Sequence, residues 1–385
     1  MANMETATFE TELSLFKYDN LEQLPASYRE LTEADRTRRI EADRTRRIEA
    51  ALDELGDDVV ILGHNYQRRE IVEHADFIGD SYALSKRAAE ADAEYVVFGG
   101  VTFMAESADI ITDDDQTVVL PCMEASCPMA GMAEALQVDA AWEQITAADP
   151  ASEIIPITYM NSYADLKAFC AEQGGLVCTS SNAHKAFEWA FERGDKVLFL
   201  PDKHLGENTA HRLGMEDSIA EWNPWDPEAK DADELEDAEI VLWDGYCQVH
   251  ERFTADHIAQ VRDEHPEANV VVHPECRREV VEAADVVGST ATITEVVENA
   301  DPGETWAIGT EIHLAKHLDR WHDDVNVVPL CGDACMDCDA MRQIDPNYLT
   351  WVLEELAAGR EHNVIEVAPE EKELAGLALD RMLEL

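Results

Sequence analysis

With 385 residues, 46% of them hydrophobic, the chain exceeds what one ordinary core accommodates, and two or three packed units are expected. Its 82 acidic residues against 29 Lys and Arg give a formal charge of -53. Such a surface repels nucleic acid and anionic membranes, which need Lys and Arg to displace their counterions. It suits instead a protein kept hydrated in the molar salt of a halophile, where screening acts over about 3 Å.

In chain order, Met1 to Lys17 is mixed and acidic, without the basic start and apolar centre of a secretory signal. No apolar run reaches membrane-spanning length. Cytoplasmic residence is therefore expected, and with it nine cysteines serving as metal ligands, redox groups or inert core residues rather than as disulfides. The stretch Glu33 to Ile40 recurs unchanged as Glu41 to Ile48, inside a segment that reads helical up to Leu55. So short a period is not a solenoid repeat. It reads as a local duplication in an exposed helical extension over residues 1–55.

From residue 56 onward, short β-branched runs alternate with helical patterns. The runs are Val59 to Leu62, Tyr95 to Phe98, Thr117 to Leu120, Ile154 to Ile157, Leu176 to Cys178, Val197 to Leu200, Ile240 to Trp243, Val270 to Val272, Val286 to Val287, Trp306 to Ile308 and Val325 to Val328. Near-continuous apolar strands separated by helices predict an α/β chain with parallel sheets covered on both faces. Their grouping predicts three α/β domains, at 56–140, 141–250 and 251–345, followed by a helical segment over 346–385. Within the second, Asn223 to Asp237 (NPWDPEAKDADELED) reads as a solvated acidic insertion.

Polar residues cluster directly after these runs: His64-Asn65-Tyr66, Tyr159-Met160-Asn161, Thr179-Ser180-Ser181, Pro201-Asp202-Lys203, His273-Pro274-Glu275, Gly288-Ser289-Thr290 and Gly309-Thr310-Glu311. Ligands of open parallel sheets bind at the carboxyl ends of the strands, so this pattern predicts a site there.

The cysteines raise the question of a metal. Cys331, Cys335 and Cys338 form C-x3-C-x2-C, a spacing that suits iron-sulfur ligation and is shared by radical S-adenosylmethionine enzymes. In those enzymes the motif usually follows the first strand of a barrel, with an aromatic before the last cysteine; here it lies near the C-terminus, with Asp337 in that place. A closed zinc site is the other reading of such thiolates, although no second C-x-x-C or C-x-x-H is present to complete it. Cys127 in ASCPMAGM and Cys247 in WDGYCQVH sit in polar contexts after strands, whereas Cys170 and Cys178 read as buried, inert thiols.

The segments GHNYQ, ADFIGDS, VVFGGVTFMAESA, ASCPMAGM, YMNS, CTSSNA, FLPDKHLG, DGYCQVH, HPEC, GST and IGTE, followed by the cysteine cluster, together resemble the quinolinate synthase family, in register over about residues 55 to 345. The resemblance implies three pseudo-symmetric, three-layer α/β domains with short parallel sheets around a central 4Fe-4S cluster. It implies that Cys127, Cys247 and Cys338, the last from the C-x-x-M of CDAM, hold that cluster and leave one iron open. Asp339 departs from the family, which commonly has proline there. The implied reaction condenses iminoaspartate with dihydroxyacetone phosphate, loses phosphate and two waters, and yields quinolinate for NAD biosynthesis. An L-aspartate oxidase or dehydrogenase is the implied source of the imine.

On the same footing, Glu275 is the candidate acid or base, Tyr66 its partner acid, and His64 a further catalytic candidate. His64, Ser81, Tyr159, Asn161, Ser180, His273, Glu275 and Thr290 match positions that bind the diacid or product. Taken singly, each has a plainer reading: interior histidines, turn and cap hydroxyls, a packing tyrosine, a loop acid. Asp202, Lys203, Thr310 and Glu311 read equally as strand-end turns, as structural ion pairs or as phosphate contacts. The methionines of CPMAGM are expected to line the apolar shell of the cluster.

Overall fold

The computed structural model describes residues 38–113, 115–226, 232–332 and 335–385. The apolar runs become strands of three parallel sheets among these residues. The first contains β1 (Val59–His64), β2 (Phe77–Gly79), β3 (Tyr95–Gly99) and β4 (Thr117–Val119), in the order β2-β1-β3-β4. The second contains β5 (Ile154–Tyr159), β6 (Leu176–Cys178), β7 (Lys196–Leu200), β8 (Ile219–Trp222) and β9 (Ile240–Trp243), in the order β6-β5-β7-β9-β8. The third contains β10 (Asn269–Val272), β11 (Val286–Val287), β12 (Thr305–Gly309) and β13 (Asn326–Pro329), in the order β11-β10-β12-β13. The first and third sheets share one strand order, and the second adds β8 at its rim. The chain is thus an α/β protein of three short parallel sheets interleaved with helices.

Burial explains which strands the sequence announced. β5, β7 and β9 are buried at every position, as strands packed on both faces must be, and each fully buried Val, Leu or Ile contributes about 1.5–3 kcal/mol. β2 and β8 were not anticipated. Both are edge strands: β2 is only partly buried, and β8 alternates between buried and exposed residues, so neither carries the continuous apolar run of a central strand.

The second copy of the duplicated octapeptide lies in the helix Arg38–Leu55, while residues 33–37 of the first copy fall outside the described residues. That helix is not simply exposed. Ile48 and Leu55 join Leu349, Val352 and Leu353 of the helix Pro346–Ala357 in one core cluster, and Arg47 holds Glu354 through two hydrogen bonds of 2.7 and 2.6 Å. Farther on, Ile365 donates its N–H to Val118 O at 2.9 Å, and the helix Pro369–Leu383 buries Ala375, Ala378, Leu379 and Met382 in the core of the second sheet. The C-terminal segment therefore straps the first sheet to the second. In the acidic insertion, the helix Ala232–Asp237 exposes its acids and buries Leu235, while residues 227–231 lie outside the described residues. No helix among the described residues is long and apolar enough to cross a membrane.

Candidate active site

The carboxyl ends of strands from all three sheets converge on one cavity. The first sheet supplies His64 at the end of β1, Tyr66 in the turn after it, Ser81 at the start of the helix after β2, and Cys127 from the loop beyond β4. The second supplies Tyr159 at the end of β5 and Asn161 after it, Ser180 after β6, and Cys247 after β9. His273 and Glu275 after β10, Thr290 after β11 and Cys338 after β13 complete the wall from the third. Every site residue expected from the sequence thus lines this one cavity.

Local geometry holds the polar groups in place. Gln67 donates its N–H to His64 O at 2.9 Å and Tyr66 donates its own to His64 Nδ1 at 3.1 Å, a tight turn that sets the two rings edge to face. Asp80 caps the helix that begins at Ser81 by accepting from Ala83 N at 2.8 Å. Val101, Phe103, Met104, Met129, Met160 and Met341 form an apolar wall beside the cysteines. Of the two methionines in CPMAGM only Met129 faces the cavity; Met132 packs beneath the second sheet, its O accepting from Trp243 Nε1 at 2.8 Å.

Two residues that sequence reasoning had not assigned link the site together. Tyr66 Oη lies 2.6 Å from Thr310 Oγ1, and Thr310 Oγ1 lies 2.9 Å from His250 Nε2. His250 Nδ1 stands 2.9 Å from Glu275 Oε2, close enough for strong attraction although off the hydrogen-bond line, and His273 Nδ1 reaches the same oxygen at 3.0 Å. The His250 and His273 rings stack at 4.5 Å. A threonine hydroxyl accepts from one neighbour while donating to another, so a proton has an unbroken path from the phenol to the imidazole, beside the carboxylate. Glu275 Oε1 is buried with no hydrogen-bond partner among the described residues. The His250 signal was the imidazole three residues after Cys247. Thr310 was visible only as one of several strand-end hydroxyls.

The electrostatics follow from burial. Burial and the neighbouring His273 hold the His64 pKa at about 3, so its ring is neutral near pH 7. Burial alone would raise the Glu275 pKa, but the His250 and His273 imidazoles override it and hold the carboxyl well below the usual carboxylate range. Burial and Glu275 push the Tyr66 pKa well above its ordinary value, against the hydrogen bond from Thr310. Burial likewise raises all three cavity thiols, Cys127 to about 11 and Cys247 and Cys338 further. A sulfur of Cys247, a ring nitrogen of His250 and an oxygen of Glu275 lie within 4.8 Å of one another, which sets one thiol against the acid–base residues.

The remaining cysteines separate cleanly. Cys170 and Cys178 are fully buried, as expected of inert thiols. Cys331 and Cys335, by contrast, form a disulfide, which corrects the expectation that none would form. The inference from compartment describes cysteines in general, whereas here two Cα atoms lie 5.1 Å apart, inside bonding range. The pair lines a different hollow, with Ile312, Lys316 and Leu330, so C-x3-C-x2-C does not present one three-thiol ligand set. Of the other ambiguous residues, Lys203 pairs with Asp244 at 2.6 Å, and Asp202 and Glu311 cap helices.

Comparison with known proteins agrees with this geometry. The family model described as NadA, quinolinate synthetase A protein, matches residues 46–384. A quinolinate synthase of Halobacterium salinarum strain R1 is 79% identical over 382 residues, covering 99% of this chain and 100% of the relative. One from Haloarcula marismortui is 78% identical over 382 residues, with 99% and 100% covered, and one from Acidobacterium capsulatum is 51% identical over 341 residues, with 87% and 91% covered. The chain belongs to the quinolinate synthetase A family.

Proposed function

We propose that the chain condenses iminoaspartate with dihydroxyacetone phosphate to quinolinate in the cavity between the three sheets, as a cytoplasmic transferase of NAD biosynthesis working in a halophile. The observation that carries this reading is the convergence on one cavity of three free cysteines from separate loops and a continuous Tyr66-Thr310-His250-Glu275 chain. The domain units at 56–140, 141–250 and 251–345 each contribute one cysteine. Cys127, Cys247 and Cys338 would hold a 4Fe-4S cluster, and the donor set suits it: free thiols, an apolar methionine wall and one buried carboxylate oxygen without a partner. When bound, such a cluster supplies Lewis acidity to a substrate oxygen through the iron that no cysteine takes.

The chain's own residues then handle orientation and protons. Ser81, Tyr159, Asn161, Ser180 and Thr290 offer neutral donors to carboxylate or phosphate oxygens, spread over three sheets so that both substrates are gripped from opposite sides. Neutral His64 adds a ring donor without a competing charge, and His273 offers its ring beside Glu275. Tyr66 gives its proton to a departing hydroxyl and is reprotonated from His250 through Thr310, or accepts one from a carbon acid as its own proton passes through Thr310 to His250. Glu275 stabilises the imidazolium formed there, and water is kept out by the methionine wall.

An anaerobic assay at high potassium chloride, with iminoaspartate and dihydroxyacetone phosphate supplied, is expected to yield quinolinate and inorganic phosphate without S-adenosylmethionine. Iron-loaded protein that makes no quinolinate sinks the proposal. In the same assay, His64 is expected to give no limb in kcat/KM between about pH 5 and 9, since its ring is already neutral there. A limb that disappears in His64→Gln shows this assignment to be wrong.

A further inference from the structure

The first and third sheets share a strand order and the second extends it, so β3, β7 and β12 occupy equivalent places. Each runs into a helix, beginning at Thr102, Lys203 and Ile312. In all three cases a residue at this junction reaches across to the segment carrying a cavity cysteine: Thr102, the first residue of its helix, and Asp202 and Glu311, each the cap one residue before its helix. Thr102 donates its N–H to Ala125 O at 2.9 Å, two residues before Cys127, and its hydroxyl reaches the same oxygen at 3.2 Å. Asp202, fully buried, accepts from Leu205 N at 2.8 Å with Oδ1 and from the main-chain N–H of Cys247 at 3.2 Å with Oδ2. Glu311, also fully buried, accepts from His313 N at 2.6 Å with Oε2, and from the main-chain N–H of Cys338 at 3.1 Å with Oε1.

Helix capping alone needs one oxygen of a carboxylate; here the second is spent on a cysteine in both places. Main-chain contacts reinforce the Asp202 clamp: Lys203 donates its N–H to Gly245 O at 2.8 Å, and a Cβ on Gly245 would meet Pro201 O at 2.3 Å, so only glycine permits this approach. A carboxylate presents acceptors on both oxygens, whereas an amide turns one into a donor that would face an N–H. Ligand loops held by such partners keep their sulfurs in place as a metal centre is assembled and exchanged.

We infer that Asp202 and Glu311 are positioning residues that fix the Cys247 and Cys338 loops for cluster binding, with Thr102 as their neutral counterpart on the Cys127 loop. This rests on the reading that the three cysteines hold the cluster. It assigns a joint task to residues that otherwise look like ordinary helix caps.

The test uses anaerobically loaded holoprotein at high potassium chloride and measures iron release to a ferrous chelator, together with the electron paramagnetic resonance spectrum of the reduced cluster. Asp202→Ala and Glu311→Ala are expected to release iron about 10- to 100-fold faster than wild type, with altered spectra. Asp202→Asn and Glu311→Gln, each keeping one acceptor, are expected to fall between; they carry the test should an alanine variant not fold. Asp345→Ala removes a cap of the same kind, Asp345 Oδ1 accepting from Asn347 N at 2.9 Å, without touching a cysteine segment, and is expected to release iron at the wild-type rate. Release at that rate from the Asp202 and Glu311 variants, or equally fast release from Asp345→Ala, overturns the inference. Wild-type protein that holds no iron overturns instead the cluster reading beneath it.

Discussion

Cys127→Ala, Cys247→Ala and Cys338→Ala, each purified without oxygen, are expected to retain less than about a tenth of the wild-type iron and to lose the brown colour of an iron-sulfur protein. Quinolinate formation is expected to drop by on the order of 1,000-fold or more, because a Lewis acid held there would lower the barrier by several kcal/mol. Cys331→Ser and Cys335→Ser should keep iron and colour. Those two sulfurs are bonded to each other and line a separate hollow, so removing either takes nothing from the cavity. The contrast discriminates between chemistries. A radical enzyme built on C-x3-C-x2-C would lose iron with Cys331 and Cys335 and keep it with Cys127 and Cys247. A zinc-stabilised scaffold would be colourless from the start and would show zinc on metal analysis. Iron that survives both Cys127→Ala and Cys247→Ala removes the basis for placing a cluster in this cavity.

Most of the fold was legible because central parallel strands are buried on both faces and so must be apolar at every position. Ile240–Trp243 could be delimited to the residue for that reason, and so could Leu176–Cys178, an edge strand that is nonetheless buried at every position. Phe77–Gly79 and Ile219–Trp222 escaped because each is a sheet edge with an exposed residue inside it, Ile78 and Glu221, so no continuous buried run marks them. The cavity residues were legible through two signals acting together, polar groups at strand ends and the resemblance of their segments, in order, to the quinolinate synthase family. Neither signal reaches a contact between sheets. His250 touches Thr310, 60 residues away, and Tyr66 touches it across 244, distances over which a sequence carries no local pattern. The capping carboxylates were ambiguous for a related reason. Asp202 looks the same in sequence whether its second oxygen faces water, phosphate or the N–H of Cys247. The disulfide ran against an expectation drawn from compartment, while the bond depends on two Cα atoms lying 5.1 Å apart.

Tyr66→Phe is expected to lower kcat on the order of 100- to 10,000-fold while leaving iron content unchanged and KM little altered, since it removes one oxygen that moves a proton and nothing that grips the substrate carboxylates. Thr310→Val interrupts the same path at its middle and His250→Gln at its end, and each should cost a comparable factor. Because the groups act as a unit, Tyr66→Phe combined with Thr310→Val should lose scarcely more than the worse single variant. Full additivity would mean that the contacts at 2.6 and 2.9 Å are structural only. The pH dependence has a definite sign. Glu275 is held ionised by His250 and His273, its carboxyl well below the usual range, so an activity that needs the carboxylate is present from mild acid upward and fails only as pH falls through that depressed value. Between about pH 5 and 8, Glu275→Gln should therefore lower the whole profile without removing an acid limb. At the alkaline end, the phenol of Tyr66 is held protonated by burial and by Glu275, so its ionisation should add no limb near its ordinary value. A limb near pH 10 that vanishes in Tyr66→Phe would show that the phenol ionises freely, and the relay through Thr310 would then be unnecessary.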